Sequence, residues 1–129
     1  MKNYISIIIL STAIMITGCS DNTNSMQVTA TAYTSHAGET DDTPTLAAWN
    51  EHLKPGMKAI AVSRDLLKAG LTHGTEVSIE GLSGTYQVLD KMNKRWTKRI
   101  DIYMGIDTDA ARKWGKQTVV IHWDDKQEN

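Results

Sequence analysis

The chain has a single cysteine, Cys19, among its 129 residues, so no internal disulfide can form. It has no apolar run of the ~20 residues that a bilayer-spanning helix needs. It carries almost no net charge: 14 Lys and Arg against 15 Asp and Glu leave −1. That balance excludes binding to nucleic acid by overall charge. There is no internal repeat, no low-complexity tract and no sign of a second domain. His36, His52, His73 and His122 show no HExxH or other metal-ligand spacing, so no metal and no cofactor is expected. Ser63 and Ser83 lack a GxSxG setting, which argues against a serine hydrolase.

What is present begins with a targeting segment. Lys2 precedes the apolar run Ile5 to Ile16, whose length of about a dozen residues suits a signal-peptide core rather than a membrane span. Ile16-Thr17-Gly18-Cys19 then resembles the bacterial lipobox, in which cleavage before the cysteine leaves it lipidated. The alternative is an ordinary secretory signal with an incidental cysteine. The lipobox reading makes residues 1–18 a signal peptide and Cys19 a lipid anchor to the membrane, with residues 19–26 as a flexible polar tether. Ser20 is not the aspartate that retains lipoproteins at the inner membrane. The expected location is therefore the outer membrane, facing the periplasm, or the cell membrane in a host without an outer one.

The mature chain of roughly 110 residues suits one domain. Gln27 to Thr34 alternates Val28, Ala30 and Ala32 against Thr29, Thr31 and Tyr33, the period of a half-buried strand. Lys58 to Val62, Glu76 to Ile79, Tyr86 to Leu89, Arg99 to Tyr103 and Thr118 to Trp123 read as five more. Gly81-Leu82-Ser83-Gly84 forms a hairpin turn between two of them. Ser63 is placed to cap a turn over Asp65 to Lys68, and Asp107 or Thr108 to cap a helix over Ala110 to Trp114, closed by Gly115. The expected fold is mainly β, a compact six-stranded barrel with one or two short helices, followed by a polar tail at 125–129.

Chemistry concentrates between Leu89 and Gly105. Asp90 ends one strand, and Asp101 interrupts the next between Ile100 and Ile102. Burial between isoleucines and a neighbouring carboxylate would both raise the pKa of Asp101, as a general acid requires. The alternative is a structural aspartate paired with Lys98 or Arg99. Trp49, Trp114 and Trp123 read as packing residues, and Asp41-Asp42 as part of a polar loop.

The order VTATAYT, KAIAVSRDLL, HGTEVSIEGLSGTYQVLD, RIDIYMG, AARKWG and TVVIHW resembles the 3D domain, named for three aspartates. That family is a double-psi β-barrel found in membrane-bound lytic transglycosylase A and in small cell-wall proteins, and it is related to rare lipoprotein A. The resemblance covers residues 27–124. It implies Asp101 as catalytic acid and Asp90 as the second aspartate. Asp65 is the nearest candidate for the third, because Ser63 stands where the family usually has it. The resemblance also implies peptidoglycan glycan strands as the partner and a 1,6-anhydro product. Tyr103 of the same segment joins Lys91, Arg95 and Trp96 as expected substrate-binding residues. The basic run Lys91, Lys94, Arg95, Lys98 and Arg99 would meet stem-peptide carboxylates while Trp96 stacks on a sugar, or it is simply a solvated loop. Lys91-Met92-Asn93 replaces the Thr-Gly-Gly common in the family's enzymes. Two functions follow: a lytic transglycosylase acting on the wall, or a catalytically silent glycan-binding lipoprotein on the same barrel.

Overall fold

The computed structural model of the chain describes residues 22–35 and 47–126. The signal segment 1–18, Cys19, His36, the Asp41-Asp42 pair and residues 127–129 of the tail lie outside the described residues. Six strands, β1 (Thr23–Tyr33), β2 (Ala59–Val62), β3 (Glu76–Ile79), β4 (Thr85–Lys91), β5 (Arg99–Tyr103) and β6 (Gln117–Asp124), close a barrel in the order β1-β5-β2-β4-β3-β6. Helix α1 (Arg64–Lys68) follows β2, and α2 (Thr108–Trp114) follows β5. Among the described residues no helix is long and apolar enough to cross a membrane.

The connections interlock. β1 and β2 follow one another in the chain, yet β5 lies between them, parallel to β1 and antiparallel to β2. β4 and β5 in turn straddle β2. These two interleaved loops make the barrel double-psi. Exchanging β1, β2 and β3 with β4, β5 and β6 reproduces every pairing, so the molecule has a pseudo-twofold axis between β2 and β5.

Strand alternation fills the barrel. Val28, Ala30, Ile60, Val62, Val77, Ile79, Val88, Ile100, Ile102, Val119 and Ile121 point inward and are buried, with Leu66, Leu71 and Trp123 joining them. Each fully buried aliphatic side chain contributes about 1.5–3 kcal/mol. A second cluster, Ala47, Leu53, Ala59, Leu89 and Tyr103, packs with Tyr33 and Met57.

Several boundaries differ from expectation. β1 begins at Thr23, so residues 23–26, expected in the tether, are strand. Their backbone pairs with the end of β6, Thr23 opposite Asp124, and Asn24 Nδ2 donates to Asp125 at 2.7 Å. Pairing of this kind needs no apolar residue, which is why the polar run concealed it. Ser63 stands at the N-terminus of α1, but its hydroxyl accepts from the Arg99 backbone N–H at 3.0 Å instead of capping the helix. Asp107 does cap α2, accepting from the Ala110 N–H at 2.9 Å.

The turn after β5 depends on Gly105. Its φ is +61°, and an added Cβ would come within 3.2 Å of the Pro55 Cα. Gly105→Ala is expected to destabilise the fold by roughly 2–4 kcal/mol, combining left-handed strain with overpacking. Urea unfolding measures this, and an unchanged midpoint would show that the Pro55 backbone yields freely.

Candidate functional site

Both aspartates stand in one row across four strands. Thr31 of β1 is in register with Asp101 of β5, Asp101 with Ala61 of β2, and Ala61 with Asp90 of β4. Asp101 and Asp90 are thus two strand spacings apart at the backbone, roughly 10 Å, with the smallest chiral side chain between them. The row straddles the pseudo-twofold axis, so Ala61 and Asp101 are equivalent positions, as are Thr31 and Asp90.

Asp90 reaches this face through a β-bulge. The β2–β4 register shifts between Ile60, opposite Val88, and Ala61, opposite Asp90, which leaves Leu89 as the extra residue. In a regular strand Asp90 would share the inward face of Val88. With the bulge, Leu89 packs in the second cluster and Asp90 faces outward with Asp101.

The two carboxylates open onto a groove of about 240 Å³, lined by Tyr33, Ala61, Asp90, Lys91, Met92, Asn93, Trp96 and Asp101. Asp101 Oδ1 accepts from the Thr31 hydroxyl at 3.1 Å. Burial lifts the Asp101 pKa from 3.8 to about 6, helped by the charge of Asp90 and opposed by the Thr31 hydrogen bond and Arg99. The flanking isoleucines are not the source of that burial. Ile100 and Ile102 point into the barrel core, and alternation turns Asp101 to the opposite face. Asp90 Oδ1 accepts from the backbone N–H groups of Ala48 and Lys91, both at 2.8 Å.

Neither aspartate is spent on an ion pair. Among the described residues the ion pairs are His73–Glu51 and His122–Glu80, both peripheral to the row. Arg99 instead lies over the Trp96 ring at 3.9 Å from its centroid and donates to the Thr31 hydroxyl at 3.3 Å. Arg95 covers the same indole at 4.7 Å. No three His, Cys, Asp or Glu side chains gather as a metal site among the described residues.

The structure separates the expected site residues. Asp101, Asp90, Lys91 and Trp96 line the groove. Asp65 does not; its Oδ2 accepts from the Lys98 backbone N–H at 2.9 Å and clamps the loop before β5. Burial alone would raise its pKa, but Ser63 and the backbone N–H groups of Lys98, Asp65 and Leu66 outweigh it and hold the carboxyl below its usual range. That environment favours a permanent anion over a proton donor. Tyr103 is only 3% exposed, and its hydroxyl meets Ser35 Oγ at 2.9 Å, so it supports the site from within the second cluster. Arg95 reaches the groove only through the indole it stacks on.

Tyr33 was not singled out by the sequence, although it shares the outward period of Thr29 and Thr31. It lines the groove, and its buried hydroxyl has no hydrogen-bond partner among the described residues. Burial first, and then the charges of Asp90 and Asp101, hold that phenol protonated well above its ordinary pKa. It is a neutral phenol close enough to both carboxylates to feel their charge. Met92 and Asn93 were noted only as replacements for glycines, yet both contribute groove wall. Chemically, the row offers one protonatable carboxyl, one anchored carboxylate, one neutral phenolic donor and an indole edge.

No protein-family model matches the sequence, and no curated protein matches it. Among solved structures, the chain is similar to an apo expansin from Clavibacter michiganensis, with 18% sequence identity and a TM-score of 0.53 over 82% of this chain and 53% of the expansin. A structure of a mutant Clavibacter michiganensis expansin in complex with cellohexaose aligns at 17% identity and a TM-score of 0.41, over 82% of this chain and 52% of that one. The chain spans about half the length of these expansins. At such low identity the likeness is one of fold: a mainly β, six-stranded barrel shared with part of the apo expansin.

Proposed function

We propose that this chain is a cell-wall glycan-binding lipoprotein of the 3D type, holding a peptidoglycan strand in the groove across Asp101, Ala61 and Asp90. The observation that carries this reading is the open row itself: two carboxylates on one face, unpaired with any cation, beside a tryptophan. Polar groups that converge in a concave site bind polar ligands, and Trp96 adds an aromatic wall beside them. Lys91, Met92 and Asn93 fill with side chains the place where the family's enzymes have glycines, which favours binding over chemistry.

A second reading, cleavage of the lytic transglycosylase type, draws support from Asp101 alone. A carboxyl with a pKa of about 6 is protonated often enough near neutrality to donate to a leaving glycosidic oxygen. The C6 hydroxyl of the same muramic residue then attacks the anomeric carbon and returns its proton to Asp101, forming the 1,6-anhydro ring. One carboxyl serves as acid and then base, so the anchored state of Asp90 is no obstacle.

Both readings are tested by sedimentation with purified sacculi, using the chain from Ser20 onward. The chain is expected to co-sediment, and Ala61→Leu to remain in the supernatant. Anhydromuropeptides detected by mass spectrometry, and lost in Asp101→Asn, would promote the second reading. Absence of co-sedimentation would dismiss both.

The lipid anchor on Cys19 belongs to the same proposal. Acyl chains contribute about 0.8 kcal/mol per buried CH₂, enough together for stable attachment. Cys19 stands four positions before the start of β1 at Thr23, a span of at most about 14 Å. The barrel would ride close to the bilayer. In the native host Cys19→Ser is expected to move the protein from the membrane fraction to the soluble one, and unchanged fractionation would remove the anchor from the proposal.

A further inference from the structure

Trp49 is a large aromatic residue held at the surface, 39% exposed, in a conformation that aromatic residues rarely adopt. It belongs to the 3-10 turn Ala48–Asn50, where Trp49 has φ 57° and Asn50 φ 61°. A side chain in the left-handed region opposes the backbone, and a bulky one more than most. Strain of this kind persists only where the surroundings enforce it. Here they do so at three points. The Ala47 N–H donates to the Glu51 carbonyl and the Glu51 N–H to the Ala48 carbonyl, which closes the turn. Glu51 Oε1 pairs with His73 Nε2 at 2.8 Å. The Ala48 N–H donates to Asp90 Oδ1 at 2.8 Å.

That last bond fixes where the indole stands. The turn adjoins the Asp90 end of the carboxylate row, with Lys91 Nζ 5.4 Å from the Trp49 ring centroid. Trp96 stands at the other end, joined to Asp101 through Arg99 and the Thr31 hydroxyl. Trp49 lies just beyond the residues that line the groove, its ring tilted against His73 at 5.0 Å between centroids, and the two indoles flank the row from opposite ends, each with a cation against it. From Thr31 to Asp90 the row spans three strand spacings, roughly 14 Å, more than a single sugar ring fills.

We infer that Trp49 is a second sugar-stacking platform, and that the groove is an extended subsite array for a polysaccharide chain several residues long rather than a pocket for one or two sugars. This rests on the glycan-binding reading above and adds to it a length requirement and the residue that sets it. The strained turn is what a binding platform costs in stability, and its bond to Asp90 keeps the platform in register with the row.

The test is isothermal titration with peptide-free glycan strands, released from sacculi by amidase and fractionated as tetrasaccharides and dodecasaccharides. The chain from Ser20 onward, Trp49→Asn and Trp49→Phe are compared. Wild type is expected to bind the long strand about tenfold more tightly than the short one, beyond the statistical factor that the extra binding registers of a long strand supply. Trp49→Asn is expected to lose that preference while binding the tetrasaccharide as before, and Trp49→Phe to keep part of it. Because Asn tolerates the left-handed region, the melting temperature of Trp49→Asn should be equal to or above that of wild type. A Trp49→Asn chain that keeps the full preference overturns the inference and leaves glycan binding standing. So does a wild type without length preference. A Trp49→Asn chain that melts lower and loses affinity for both strands equally assigns the indole to packing and overturns it too. Failure of wild type to bind either strand overturns the glycan-binding reading itself.

Discussion

Asp101→Asn is expected to make the barrel more stable at neutral pH while removing any proton transfer from the groove. In the folded chain the carboxyl has a pKa of about 6, against 3.8 ordinarily. Ionising it in the fold therefore costs about 3 kcal/mol more than in the unfolded chain. Between those two values the native state binds more protons than the unfolded one, so stability is full below pH 4 and falls as pH rises through 6. An asparagine never ionises and escapes the loss, while its carbonyl can still accept from the Thr31 hydroxyl. At pH 7.5 the variant should melt higher by roughly 10 °C, and at pH 4 the two proteins should melt together. Calorimetry across that range measures the gap. A gap that does not close toward pH 4 would mean that Asp101 is not the buried acid described here.

Ala61→Leu has the largest expected effect on binding. Ala61 lies between Asp101 and Asp90 in the register and lines the groove between them. Its neighbours Ile60 and Val62 face the core, so the added carbons project toward the groove, where Ala61 is itself only 5% exposed. They would occupy the space between the two carboxylates, where the reading places the strand. Affinity for glycan is expected to fall by about a hundredfold, or ~2.7 kcal/mol, measured well below a melting temperature that overpacking at this buried position lowers. The titrations that test Trp49 serve here as well. Retained affinity in Ala61→Leu would place the glycan on another face of the barrel.

The strands with strong alternation were legible residue by residue. β3 and β5 run as their patterns indicate, because Val77 and Ile79, or Ile100 and Ile102, announce the buried face. The start of β1 was not legible, since Thr23 to Met26 pair through backbone and polar side chains. Asp101 and Asp90 were legible as chemistry, but the environment of Asp101 was read from its neighbours in sequence, and alternation sends those neighbours the other way. Asp65 was chosen for nearness along the chain to the expected position, whereas the fold turns it toward the Lys98 backbone. Trp49 was hidden for a different reason: nothing in Ala48-Trp49-Asn50 signals a left-handed backbone, which here is imposed by Asp90, Glu51 and His73 from elsewhere in the molecule.

The bulge at Leu89 has a consequence in counting. In a regular ladder the residue after Val88 faces the groove and the one after that faces the core, so the bulge is what allows a residue to stand between Val88 and the acid. A barrel of this kind with one residue fewer would carry its aspartate directly after Val88, still opposite Ala61 and still facing the groove, and what it would lose is Leu89 from the second cluster. The bulge therefore lets a single strand serve two clusters at once, and a one-residue deletion there would remove packing beneath the groove while leaving the acid in place.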